Sequence, residues 1–97
     1  MKNNSFEHRS LVPGENISIK STQNGGSLIF NLLNLGNQPS TIRITFAGSS
    51  ILVPVPANSS FGDIIYNQST EVIITNTGQV TFQVLWSQNP LVHCNEI

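Results

Sequence analysis

Between residues 41 and 47 the chain reads Thr-Ile-Arg-Ile-Thr-Phe-Ala. Ile42, Ile44 and Phe46 fall on one side of an extended backbone, and Thr41, Arg43 and Thr45 on the other. Successive side chains of a strand point to opposite faces, so this alternation marks a half-buried β-strand. The stretch 79–87 repeats it over a longer run, with Val80, Phe82, Val84 and Trp86 set against Thr81, Gln83, Leu85 and Ser87. The first set is expected in the core. No segment shows a 3.6-residue period, and alanine occurs only at Ala47 and Ala57. Strict alternation punctuated by Gly, Asn and Pro leaves room for strands and turns, and for little else.

Five more segments complete the reading. Strands are predicted at 16–22, 27–35, 51–55, 61–66 and 70–75, beside those at 41–47 and 79–87. The strand at 27–35 changes phase. Leu28, Phe30 and Leu32 share one face, while Leu33 and Leu35 share the other, which predicts a bulge or a crossing between sheets. Pro54 places the strand at 51–55 on a sheet edge, because proline cannot donate to a ladder. Seven short strands with frequent turns predict an all-β fold, a jelly-roll-like antiparallel β-sandwich of about seven to eight strands with an extended N-terminal connector. The sandwich is expected over 16–88, the connector over 1–15 and a C-terminal tail over 89–97. No repeat of 20–50 residues is visible in the sequence. A sheet one strand short would expose unpaired backbone groups, which an extended segment of another subunit can fill.

Composition bears on partners. The 97 residues suit one domain. Charged residues make up 9%, against about 25% in an average domain. Asn, Gln, Ser and Thr supply 37 residues, and the net charge is −1. A polar but nearly uncharged surface gives little electrostatic protection against self-association. The four basic residues, Lys2, Arg9, Lys20 and Arg43, are scattered, which argues against nucleic-acid binding. No apolar run has bilayer length, so no membrane insertion is expected, and the N-terminus lacks the apolar core of a signal peptide.

The inventory for chemistry is thin. His93 and Cys94 are adjacent, so they face opposite ways in an extended chain and make a poor nucleophile–base pair. His8 could join them around a metal only if the two chain ends met, and neither a metal nor a cofactor is expected. Glu7, Glu15, Asp63, Glu71 and Glu96 show no acid–base spacing. No catalytic residue is assigned, and no enzyme is expected. Asn3, Asn16, Asn58 and Asn67 each open an N-x-S/T triplet, read as chance in a chain this rich in Asn and Ser. Trp86 and Tyr66 could line a sugar-binding face, though the alternation assigns Trp86 to the core. A single cysteine excludes an internal disulfide. Cys94 is either an inert thiol or a candidate for a bond to another protein.

The opening segment MKNNSFEHRSLVPG is then the best candidate for the functional part. Phe6, Leu11 and Val12 are its apolar residues, and Pro13-Gly14 is a hinge. Leu11 and Val12 are neighbours and face opposite ways. Spacing by two pairs Val12 with Phe6 as anchors and leaves Leu11 as a contact on the other side.

The stretches SLIFNLLNLGNQPSTIRITFAGSS and VPANSSFGDIIYNQSTEVIITNTGQVTFQVLWSQ, together roughly residues 27–88, resemble the subunits of bacterial endospore appendages. The pieces that carry the resemblance are Asn58-Ser59-Ser60-Phe61, Glu71-Val72-Ile73-Ile74-Thr75 and Val80-Thr81-Phe82-Gln83-Val84. The resemblance implies a jelly-roll subunit on a spore or cell surface, whose N-terminal connector reaches into neighbouring copies to build a pilus-like fibre. The family's best-known members cross-link through connector cysteines. Residues 1–15 here contain none, so a fibre would rest on strand pairing and apolar anchoring.

The leading expectation is therefore a self-assembling extracellular fibre subunit that polymerises head to tail, by addition of its N-terminal strand to the neighbouring copy. Its partners would be copies of itself, with a separate anchor or tip protein as a further candidate. The alternative is a lectin-like or phage-type surface-binding or decoration module.

Overall fold

The computed structural model describes residues 6–21, 26–66 and 68–89. They form eight strands: β1 (Glu7–Leu11), β2 (Asn16–Ile19), β3 (Ser27–Asn34), β4 (Ser40–Phe46), β5 (Ser49–Val55), β6 (Ser60–Ile65), β7 (Val72–Asn76) and β8 (Phe82–Asn89). Two four-stranded antiparallel sheets result, in the orders β1-β8-β3-β6 and β2-β7-β4-β5. The protein is an all-β jelly roll, and β2 to β8 correspond to the seven strands read from the alternation.

The core lies between the sheets. Phe30, Leu32, Ile42, Val72, Ile74, Phe82 and Val84 are all essentially inaccessible. Their positions alternate along each strand, as residues facing one side of a pleat must. Trp86 packs partly buried against them, as its phase requires. Pro54 does lie on an edge strand: β5 pairs only with β4, where Pro54 faces Thr41.

Three features depart from the sequence reading. The eighth strand is β1, which falls inside the segment 1–15 read as a connector and pairs with β8 of its own chain from Glu7↔Trp86 to Leu11↔Phe82. The sandwich therefore takes in residues on both sides of the Pro13-Gly14 turn. Second, β3 carries no bulge. It keeps one phase throughout and pairs without interruption with both β6 and β8. The apparent slip arises because the last inward position is polar. Asn34 takes it, Leu33 faces outward, and Leu35 lies beyond the strand and is exposed.

The third departure is an internal repeat. Adding four to every strand number turns the order β1-β8-β3-β6 into β5-β4-β7-β2, which is the other sheet. The chain marks this pseudo-twofold relation with Asn34-Leu35-Gly36 and Asn76-Thr77-Gly78. Each Asn closes a strand and is buried. Asn34 Oδ1 accepts from the Gly36 N–H, and Asn34 Nδ2 donates to the carbonyls of Gln38 and Val55. Asn76 Oδ1 accepts from the Gly78 N–H, and Asn76 Nδ2 donates to those of Val80 and Leu11. The two glycines are spared a side chain for related reasons. A Cβ on Gly78 would stand 1.6 Å from Ser40 Oγ, and one on Gly36 would stand 3.0 Å from Val80 Cγ1.

Candidate assembly surface

The proposed connector residues lie at the start of the first sheet. Leu11 closes β1 and is completely buried opposite Phe82. Phe6 and Val12 are 43% and 47% exposed. Within the chain itself Leu11 faces inward, and Phe6 and Val12 share the outward phase. The reason is register. Phe82 points into the core, so the residue directly opposite it does too. Pro13 and Gly14 form a tight turn closed by the Glu15 N–H to the Val12 carbonyl at 3.0 Å. Gly14 sits at φ 91°, a left-handed conformation that suits glycine. Its N–H donates to the Asn76 carbonyl at 2.9 Å, tying the turn to the end of β7. Cys94 and His93 lie outside the described residues.

Glu7 and Arg9 hold the same phase as Leu11 but are exposed. On the outer face, Ser10 Oγ donates to Gln83 Oε1 at 3.2 Å, and Gln83 Nε2 lies 3.4 Å from His8 Nδ1. The free side of β1 therefore carries Phe6 and His8 outward and two charges inward.

The opposite edge was less legible. β6 bounds the first sheet and β5 the second, each paired on one side only. Ile51, Leu52, Ile64 and Tyr66 are all exposed along this side of the molecule, Tyr66 by 71%. Between the two edge strands the sandwich gapes into an apolar mouth of about 210 Å³, lined by Phe30, Ile44, Phe46, Ile51 and Ile65 and rimmed by Asp63. Asp63 occupies an inward phase, directly opposite the buried Phe30. Its Oδ1 accepts the Ile64 N–H at 2.8 Å, so a side chain holds one backbone donor of this edge. The alternation of β6 could have revealed Asp63, since Phe61, Asp63 and Ile65 share a phase.

Strand direction relates the two edges. Neighbours within the first sheet are antiparallel, and two strands separate its ends, so β1 and β6 run in opposite directions. A copy placed alongside by translation would present its β1 antiparallel to this β6. Charged and apolar side chains along free edges are what this surface offers. Among the described residues, no group of three or more His, Cys, Asp or Glu side chains converges.

A second concave region lies on the outer face of the first sheet. Two depressions of about 530 and 420 Å³ meet at Asn31, one bordered by Leu33 and Leu85, the other by Ile64 and Tyr66. Gly62 deepens the floor between them. A Cβ there would come within 2.4 Å of Asn31 Oδ1.

No protein-family model and no curated protein matches the sequence. Solved structures do match the fold. A predicted oxalate decarboxylase from Thermotoga maritima is similar over 89% of this chain, with a TM-score of 0.59 and 26% identity. This chain spans 65% of that protein's length. A de novo designed double-stranded β-helix matches over 87% of this chain and 97% of its own, with a TM-score of 0.57 and 12% identity. The capsular polysaccharide assembling protein CapF from Staphylococcus aureus matches over 99% of this chain but only 26% of its own, at 16% identity and a TM-score of 0.57. The designed protein shows the fold on its own, since nearly its whole length is matched. What these proteins share with this chain is the fold.

Proposed function

We propose that this protein is a structural subunit of an extracellular fibre of the spore-appendage type, and that it polymerises head to tail by adding its N-terminal strand to the sheet of the next copy. The observation that carries this reading is the pair of complementary free edges in one sheet: β1 at one side, β6 at the other, in opposite directions. The strand that adds is the folded edge strand β1. Such contacts are heterologous, so they extend without closing unless the rotation per subunit makes a ring. Backbone hydrogen bonds supply affinity, and side chains on alternate positions supply specificity.

Two further observations support it. Exposed Ile64 and Tyr66 leave the β6 edge apolar, where monomeric sheet proteins usually place charge. The core between the sheets is filled by Leu, Ile, Val and Phe side chains, which fits a load-carrying module. The first sheet is the better one for growth. The edge of the second contains Pro54, which lacks a backbone donor.

Negative-stain microscopy of the purified full chain across a concentration series tests the reading. Filaments one subunit wide, or bundles of them, are expected. Monodisperse monomer at every concentration would refute it. The groove at Asn31 favours one second reading, a surface-binding module for uncharged polar ligands such as glycans. Saturable glycan binding by the monomer, with no filaments, would select it.

A further inference from the structure

Resting on the fibre reading, we infer that the junction between copies has one register, in which Arg9 of one copy faces Asp63 of the next and Phe6 faces Tyr66. The partner is a second copy of this chain, and the argument is charge complementarity combined with strand polarity.

Rows of inward-facing residues cross the first sheet. One runs Glu7–Trp86–Phe30–Asp63, and the next runs Arg9–Val84–Leu32–Phe61. Continuing these rows straight into a neighbouring copy would set Asp63 against Glu7 of that copy, two carboxylates face to face. The same register would set Phe61 against the Arg9 guanidinium. Like charges directly opposite destabilise a sheet. A shift of one residue would turn every side chain to the wrong face, so the next permitted register is a shift of two.

A shift of two in one sense removes both conflicts. Asp63 then faces Arg9 of the neighbour, and Phe61 faces Leu11. On the outer face Ile64 meets His8, and Tyr66 meets Phe6. The two most exposed aromatics of the described chain, Tyr66 at 71% and Phe6 at 43%, become a cross-strand pair. All of β1, Glu7–Leu11, lies against 61–65 of β6. The opposite shift would set Phe61 against the Glu7 carboxylate and leave Phe6 and the Arg9 side chain without these partners. In the free subunit the Asp63 carboxylate is held by the Ile64 N–H. Engagement by Arg9 draws it away and frees that donor for the incoming strand, so Asp63 guards the edge until the correct partner arrives.

Cysteine pairs read the register directly. Residues directly opposite in an antiparallel pair stand about 4.5–5.5 Å apart at Cα, within disulfide reach. In a Cys94→Ser background, Phe6→Cys/Tyr66→Cys protein is expected to give a ladder of covalent multimers after mild oxidation. Phe6→Cys/Ile64→Cys, which matches the unshifted register, is expected to give none. The reverse result, or filaments with a ladder from neither pair, overturns the register while leaving the fibre reading intact. Absence of filaments from the unsubstituted chain overturns the reading itself. Charge exchange is the second arm. Asp63→Arg and Arg9→Asp alone should each raise the concentration at which filaments appear by about fivefold, the upper range for an exposed pair. The Asp63→Arg/Arg9→Asp double variant should return near the parent value. Unchanged single variants, or a double variant no better than either single, overturn the ion pair. Both side chains are exposed, so the melting temperature of each monomer should stay within a few degrees, and that measurement separates assembly from folding.

Discussion

Single polar side chains organise the loops at one end of this sandwich. Asn34 and Asn76 each satisfy three backbone groups that would otherwise be buried without partners. Each Asn side chain acts as a strand cap, much as a capping residue satisfies the end of a helix. Leaving buried donors and acceptors unpaired costs roughly 1–3 kcal/mol per group, offset in part by water entering the loop. Asn76→Ala is therefore expected to lose about 2–4 kcal/mol in urea denaturation, and Asn34→Ala a similar amount. Ser40 is the counter-case. Its hydroxyl is buried and, among the described residues, is the one buried side-chain polar atom with no hydrogen-bond partner. Ser40→Ala should leave stability unchanged or raise it by up to about 1 kcal/mol, because it removes a polar group that has nothing to bond. A substantial loss on the same denaturation curve would refute that account of Ser40. Neither asparagine was legible as structural in a chain with twelve of them. The N-x-G spacing at 34–36 and 76–78 was the available signal, and only the paired strands give it meaning.

At the scale of the strand, β1 shows why pattern alone misplaces a short element. Its five residues read exposed four times and buried once, so they carry no alternation to recognise. It is a strand because β8 offers it an edge, and Leu11 locks it by filling the space opposite Phe82. Removing a completely buried leucine costs about 2–5 kcal/mol. Leu11→Ala is expected in that range, whereas Val12→Ala, at a half-exposed turn, should change stability by less than about 0.5 kcal/mol. Thermal denaturation of the two variants distinguishes this arrangement from one in which Val12 is the anchor. The same comparison bears on assembly. A β1 that stays in its own sheet presents only its outer edge to a neighbour, and its loss in a truncation at residue 13 would cost the core as well as the junction.

For the whole molecule the decisive property is parity. A sheet of four antiparallel strands ends on two edges of opposite direction, so translation alone brings complementary edges together. The low charge of the chain leaves those edges open, with 9% charged residues to protect the entire surface. A lysine placed on a free edge is a standard device against edge-to-edge pairing. Ile64→Lys should leave the fold intact, because Ile64 is 40% exposed and faces outward. It should abolish filaments under conditions where the parent chain forms them, as seen by microscopy and by sedimentation of the polymer. Filaments of normal abundance from this variant would move the growth surface away from β6.

The alternation of apolar residues determined that this chain folds into antiparallel strands, and Pro54 determined which of them bounds a sheet. Both follow from local physics: a pleat repeats every two residues, and proline has no N–H to donate. What alternation does not encode is the partner of each edge. That β1 docks on β8, that Asp63 and Arg9 bound opposite ends of one sheet, and that Asn34 and Asn76 are related by a pseudo-twofold axis all depend on contacts between residues far apart in the chain. These were decided only when the two sheets closed on a common core, because burial, and not local propensity, selects which face and which neighbour each strand takes.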